Sequence, residues 1–454
     1  MRKNQLSRRE FIRTTGGVAA ATLAADAILL EPRPLAASPR SVPPSDRLRF
    51  ACIGAGIRGG AELLGYALAC PGTEVVAVCD LYEPRFTAAQ EYAHKQVETT
   101  KEYRRILDRQ DIDFVIVATP DHWHAKIVQD ACAAGKDVYC EKPMSHTVEE
   151  GFGMVEAAEK YNRIVQIGSQ RRSSIVFAKA KEIYDSGFLG QVTAIEATMD
   201  RNTRDSVGIW PVPPGASEKN IDWETFLGDA PKRPFDPFRF FRWRGFWDYG
   251  EGVAGDLYVH LVTGLHYVAG ITAPPSRATT MGGLVRWKEH REVPDILWTL
   301  YEYPHFHVGV RSNMNNQSPD STVFYGTEGT LEIKGNTVTA YPQNIPPSPE
   351  YYGLAGWPSG MRKTYLEQWH AAHPDTPPGK FRMNESAQTY VAPPRYDDSL
   401  DHMNNFLESV RSRRPPVEDA NFGNVAAITC HMANASYLNK SVVVWDAAAR
   451  KVQT

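Results

Sequence analysis

The chain reads as an α/β fold with a doubly wound parallel sheet, followed by an α+β unit with an open, largely antiparallel sheet. Three observations predict this. Short apolar, strand-like runs alternate with helical patterns over residues 48–172. A glycine fingerprint, Gly54-Ala55-Gly56-Ile57-Arg58-Gly59, directly follows the first such run. Beyond Arg172 the pattern changes to β-branched and aromatic segments. A length of 454 residues exceeds one ordinary core, so two domains are expected. Hydrophobic content of 42% and charged content of 23% suit a globular enzyme. The formal charge of −3 and the lack of a basic patch argue against nucleic-acid binding.

Taken in order, residues 1–37 read as an export signal. Ser7-Arg8-Arg9-Glu10-Phe11-Ile12 has the form of a twin-arginine (Tat) leader, an address read by a receptor. The apolar stretch from Gly16 to Leu30 is interrupted by Asp26, and a bilayer span needs about 20 apolar residues. Cleavage is expected near Ala36-Ala37, with Ala27 as the alternative site, and residues 38–47 read as a Pro/Ser-rich linker. The leader predicts passage through the Tat translocon and a periplasmic or otherwise exported location. Because Tat substrates cross folded, a nucleotide acquired in the cytoplasm would travel with the chain as a resident group.

Leu48 to Ile53 is the first buried strand, and Ala61 to Ala69 supplies the helix after the glycines. Glu74 to Asp80 and Asp113 to Thr119 are further strands. A helix from His122 to Ala134 precedes a short strand at Asp137 to Cys140. Thr147 and Glu150 have capping-box spacing, and Ile164 to Gly168 closes the half as a strand. In the second unit, expected over 173–450, a helix at Ile175 to Tyr184 precedes a strand at Val192 to Ala197. Strand-like segments recur at 295–303, 307–311, 322–325 and 330–333, and helices return at 399–410 and 425–437. Residues 200–250 form a loop-rich insert dense in Pro, Trp and Phe. The six cysteines lack a disulfide pattern and are expected as buried thiols.

Each fingerprint glycine has its own task. Gly54 permits the tight turn, Gly56 lets a pyrophosphate approach the backbone, and Gly59 lets helix and strand pack closely. Phosphate then meets unpaired N–H groups at the helix start. Asp80 ends the second strand 21 residues after Gly59, where a carboxylate accepts hydrogen bonds from ribose hydroxyls. It would repel a 2′-phosphate, which favours NAD over NADP, although Arg85 blunts that preference.

Five further motifs follow in order: Thr119-Pro120-Asp121-His122-Trp123-His124, Ala134-Gly135-Lys136, Glu141-Lys142-Pro143, Gly168-Ser169-Gln170-Arg171-Arg172 and Gly255-Asp256-Leu257-Tyr258-Val259-His260. On these the chain resembles the glucose–fructose oxidoreductase and inositol dehydrogenase (Gfo/Idh/MocA) family. The resemblance implies a Rossmann domain at 48–172 and a substrate and oligomerisation domain that forms dimers or tetramers. It implies a sugar or polyol substrate. It also implies cofactor contacts from Gly54, Gly56, Ile57, Arg58, Gly59, Asp80, Thr119, Pro120, His124, Glu141, Lys142 and Arg171. Tyr258 stands where the family usually has a glycine, which marks a distinct subgroup.

The chemistry follows from the residue types. Hydride loss from a carbinol carbon requires a base for the hydroxyl proton and a cation for the developing oxyanion. Asp256 and His260 are four apart, so a helix places them on one face, the carboxylate orienting the imidazole. Free histidine titrates near pH 6.5 and free lysine far above neutrality. His260 is therefore the expected base and Lys142 the electrostatic clamp, with Asp256 as the third catalytic member. Arg172, Trp243, Trp247 and Tyr258 are candidate substrate contacts, and Arg239, Arg242 and Arg244 candidate carboxylate forks. His122 and His124 form a His-x-His step, but Cys-x-x-Cys and His-Glu-x-x-His are absent, so no metal is expected. The expected activity is an exported, nicotinamide-dependent oxidoreductase that recycles a tightly bound cofactor. The alternative is an NAD-dependent glycosidase or lyase that cleaves by transient oxidation and elimination.

Overall fold

The computed structural model describes residues 46–202, 208, 210–343, 348–349, 351–374 and 386–454. The twin-arginine leader and the linker through Ser45 lie outside the described residues.

The first sheet is six-stranded and wholly parallel. Its strands are β1 (Leu48–Ile53), β2 (Thr73–Cys79), β3 (Glu98–Thr100), β4 (Phe114–Val117), β5 (Asp137–Cys140) and β6 (Val165–Ile167). They lie in the order β3-β2-β1-β4-β5-β6, so strands are added outward to one side from β1 and to the other side from β4, and the strand order switches between β1 and β4. A ligand crevice is expected there, beyond the strands' carboxyl ends. β4 and β5 are buried along their whole length; β4 is accordingly an unbroken apolar run, and β5 is apolar after Asp137. β3 went unread because its three residues are Glu-Thr-Thr and it pairs only at the sheet's edge. Thr147 caps the Val148–Lys160 helix through Glu150, both halves of the capping box being present.

The second sheet has ten strands. Their order is β14-β13-β12-β11-β7-β10-β9-β8-β15-β16, from β7 (Val192–Thr198), β8 (Arg277–Gly283), β9 (Ile296–Glu302), β10 (His307–Asn313), β11 (Ser321–Gly326), β12 (Gly329–Lys334), β13 (Thr337–Pro342), β14 (Gln388–Val391), β15 (Val443–Asp446) and β16 (Lys451–Gln453). Every pairing is antiparallel except β7 with β10. Burial alternates along β9 and β10, as expected for a sheet covered on one face. Helices carrying Phe177, Val262, Leu265 and Ala433 fill the covered side. The other side exposes Met281, Trp298 and Leu300.

Two segments cross between these units. The helix Asp398–Ser412 returns to the first sheet, placing Met403, Phe406 and Leu407 against Phe50, Phe114 and Tyr139. The expected second span, 173–450, thus contains a helix that packs in the first core. The insert after Asp200 also folds back. Ile221 bridges Tyr82, Asp222 N–H donates to the Leu81 carbonyl at 2.9 Å, and Glu83 N–H donates to Asn220 at 3.1 Å. Its aromatics Phe226, Phe240, Phe241, Phe246 and Tyr249 form a separate core with Tyr82. All six cysteines are free and buried.

Candidate active site

A groove of about 770 Å³ runs from the fingerprint turn to the helix bearing His260. That volume lies within the range that encloses small-molecule ligands. Its floor is the turn after β1. Gly54 has φ +91°, and a Cβ there would stand 2.5 Å from the Ala118 carbonyl oxygen. A Cβ on Gly59 would strike the Gly54 carbonyl. At Gly56 a Cβ would meet only the tip of Arg85, at 3.5 Å. Gly54 and Gly59 are therefore required by the fold, whereas Gly56 keeps bare backbone open to the groove. We expect Gly56→Ala to retain native stability and lose nucleotide, and Gly59→Ala to lose both, as thermal melts with and without added NAD would show.

Asp80 is buried at the groove's far end. Ala55 N–H and Tyr82 N–H donate to it at 2.7 and 2.9 Å, and Arg85 Nη1 lies 3.2 Å from both oxygens. A ribose hydroxyl reaching Asp80 would take the place of Arg85, the only one of these partners that can swing away. The insert roofs the groove with Trp210, Phe226, Phe240, Phe241 and Trp243. Trp123 is tied to that roof, its indole N–H donating to the Phe226 carbonyl at 3.0 Å.

At the near end, Lys142 follows β5 in a cis Lys142–Pro143 step. Its Nζ donates to Asp256 Oδ1 at 2.8 Å and to the Asp256 carbonyl at 2.7 Å. Asp256 lies in a π-helical turn, Ala254–Tyr258, that leads into the α-helix Val259–Ala269. Such turns recur at functional sites. Gly255 makes this approach possible, since a Cβ there would collide with Glu251 and come within 3.1 Å of Pro143. Arg244 Nε donates to the same Asp256 oxygen at 3.3 Å. Burial opposes ionisation of Asp256, but Lys142 and Arg244 outweigh it and hold the carboxyl well below the usual range.

His260 faces the same space. Its ring makes no hydrogen bond among the described residues, leaving both nitrogens to a ligand. Burial lowers its pKa well below 6.5, and the Lys142 and Arg171 cations add to that against Asp256. The ring is neutral at pH 7, as a proton acceptor must be. The expectation that Asp256 orients this ring is corrected: the carboxylate is taken by two cations instead. Glu141 is likewise engaged, accepting from Arg58 Nε at 2.7 Å.

Of the remaining expected residues, Ile57, Thr119, Pro120 and Trp243 line the groove, but five others do not reach it. His124 is buried beneath it, bracing the Pro143 carbonyl at 2.8 Å and the Thr119 carbonyl at 3.0 Å. Tyr258 points to the opposite side of its helix from Asp256, as residues two apart must, and donates to the Val310 carbonyl at 2.9 Å inside the second core. Trp247 packs against Gly252, its carbonyl lying 2.9 Å from His146 Nε2. Arg172 lies over the Phe422 ring at 4.3 Å. Arg171 turns the other way and borders an adjoining recess, with Lys142 and His260, instead of the dinucleotide groove. Among the described arginines of the insert, Arg244 alone lines the groove; Arg239 pairs with Asp248 and Glu292, and Arg242 binds the Trp210 carbonyl. The recess also brings in Arg201 and Asp398, which no local motif marks.

Comparison with known proteins gives a consistent picture. The oxidoreductase family profile described as an NAD-binding Rossmann fold (GFO_IDH_MocA) matches residues 48–169, and the GFO/IDH/MocA C-terminal domain profile matches residues 177–332. Inositol 2-dehydrogenase of Salmonella typhimurium is 34% identical over 145 residues, 32% of this chain and 43% of that protein. The chain thus aligns with less than half of that relative's length. Levoglucosan dehydrogenase of Pseudarthrobacter phenanthrenivorans is 26% identical over 63% of this chain and 73% of its own. An α-N-acetylgalactosaminidase of Shewanella oneidensis is 32% identical over 35% of this chain and 38% of its own. Among solved structures, a levoglucosan dehydrogenase complexed with NADH and levoglucosan superposes with a TM-score of 0.62 at 18% identity, covering 88% of this chain and 99% of the other. An aldose-aldose oxidoreductase from Caulobacter crescentus complexed with glycerol gives the same TM-score, 0.62, at 18% identity and the same coverage, 88% and 99%. At that identity the two superpositions speak for the fold.

Proposed function

Since the chain belongs to the Gfo/Idh/MocA oxidoreductase family, with an NAD-binding Rossmann fold as its first half, we propose that it oxidises a hydroxyl of a saccharide or polyol. The observation that carries this reading is the convergence of Lys142, Asp256 and His260 at one end of a groove whose other end is the Gly54–Gly59 turn. The groove residues fit NAD: Gly56 leaves bare backbone for the diphosphate, and Asp80 waits at the ribose end. Bound there, NAD supplies the hydride acceptor.

The protein's own groups supply the rest. His260, neutral and unengaged, accepts the hydroxyl proton at a ring nitrogen. Lys142, held in place by two bonds to Asp256, presents its remaining ammonium proton to the oxygen on which charge develops. Arg244 holds Asp256 from the other side, so the carboxylate stays ionised and the lysine cannot drift. The aromatic roof excludes water from the reacting carbon.

The twin-arginine leader supports export to the periplasm, where free nucleotide is scarce. The cofactor then stays bound and is restored in each cycle by a second carbonyl substrate. The α-N-acetylgalactosaminidase relative supports a second course: oxidation of one hydroxyl acidifies a neighbouring C–H, that proton and the glycosidic group are eliminated, water adds across the double bond so formed, and reduction of the carbonyl ends the cycle. Purified protein assayed without added nucleotide separates the two. An aryl glycoside that releases its aglycone with no net NADH indicates cleavage; a keto-sugar or a reduced second substrate indicates oxidoreduction. The exposed sheet face with Met281, Trp298 and Leu300 supports assembly of the chain into a homo-oligomer. For export, Arg8→Lys with Arg9→Lys should hold the protein in the cytoplasm, as cell fractionation would show.

A further inference from the structure

The recess beside the groove, about 230 Å³, has Lys142 and His260 at one side and Arg171, Arg201 and Asp398 at the other. Arg201 is committed, held by both oxygens of Asp320 at 2.5 and 2.9 Å. Arg171 is not. Its guanidinium stands 3.6 Å from the Asp398 carboxylate, beyond a hydrogen bond, and its carbon lies 5.4 Å from the Phe177 ring centre. Among the described residues the Arg171 guanidinium makes no hydrogen bond, and the Asp398 carboxylate, ion-paired with it at 3.6 Å, is hydrogen-bonded by its own backbone N–H alone. Five donors and the remaining lone pairs of the carboxylate therefore stand side by side in the space that the reacting hydroxyl must share.

That pairing fits one kind of ligand. Two adjacent hydroxyls can each accept from the guanidinium and donate to the carboxylate, which satisfies both charges without adding a third. A carboxylate ligand would satisfy Arg171 but would lie against Asp398 with no proton to offer it, a like-charge contact that disfavours binding. We infer that Arg171 and Asp398 form a specificity subsite that grips the neighbouring hydroxyls of an uncharged sugar or polyol and turns away sugar acids. This deepens the sugar-oxidation reading and rests on it for the position of the reacting carbon.

The test is calorimetric titration of the cofactor-loaded protein with glucose, galactose and myo-inositol, and with glucuronate and galacturonate. Wild type should bind at least one neutral ligand roughly tenfold or more tighter than either uronate, the scale of one charge mismatch. Asp398→Asn should move the neutral-to-uronate ratio toward the acids by about 10- to 100-fold. Arg171→Gln should weaken all ligands about tenfold. Bound-nucleotide fluorescence should stay constant throughout, which a merely structural defect would not allow. A wild-type preference for uronates, an Asp398→Asn ratio equal to wild type, or no binding of any probe would overturn the subsite. Binding in the expected ratios without hydride transfer in a parallel single-turnover assay would instead sink the oxidation reading and leave the subsite standing.

Discussion

His260→Ala is expected to slow hydride transfer by about 10²- to 10⁴-fold, the contribution of a positioned general base. The nucleotide should remain bound, because the fingerprint turn and the aromatic roof that line the rest of the groove stay in place. The separation matters, since loss of turnover with loss of cofactor would indicate collapse of the groove. The depressed pKa adds a second readout. A base works only when unprotonated, so activity falls as pH drops through its pKa. With that pKa held well below 6.5 by burial and by Lys142 and Arg171, kcat/KM should stay level from pH 7.5 to 6.5 and decline only below. An acid limb centred at 6.5 or higher would show that an ordinary, solvated group takes the proton.

Opening the roof should have the second largest effect. Trp210 and Trp243 cover the groove from the insert, and the Trp243 ring lies 4.1 Å from the Arg244 guanidinium carbon. Trp210→Ala combined with Trp243→Ala removes two large aromatic surfaces from the ligand; Phe226 and Tyr249 stay in place, while the edge of their cluster loses its contact with Trp243. Each lost ring is worth about 2 kcal/mol at a well-covered contact. The double variant should therefore release nucleotide about 10²- to 10³-fold faster, measured by dilution and fluorescence, and should lose most of the rise in melting temperature that added nucleotide gives the wild type. Unchanged retention would mean that the insert serves the fold alone.

How much of this is legible in the sequence depends on whether function and local pattern coincide. β1, β2, β4 and β5 were readable because a parallel strand covered on both faces is apolar along its buried stretch, polar residues such as Arg49, Glu74 and Asp137 standing at or near its start, and the glycine turn because each position has a separate steric reason. Lys142 was readable from the Glu141-Lys142-Pro143 step. Tyr258 and Trp247 were misplaced for a common reason: aromatic residues near a catalytic motif suit a sugar platform and a packed core equally well, and periodicity does not separate the two. Tyr258 lies two residues from Asp256 and so faces away from it, into the sheet. Asp398 had no signal at all, since a helix more than 200 residues from Arg171 brings it to the recess. His124 and Arg172 show the limit of motif transfer; their neighbours line the cavities, and they brace the walls.

The most direct measurement is a single turnover of protein purified from its native compartment, mixed with sugar in the absence of any added nucleotide. The account predicts reduced nicotinamide absorbance that rises to one equivalent per chain and then decays when a second carbonyl compound is supplied. Protein that carries no nucleotide, or that stays silent until NAD is added and then reduces the free pool, would contradict it.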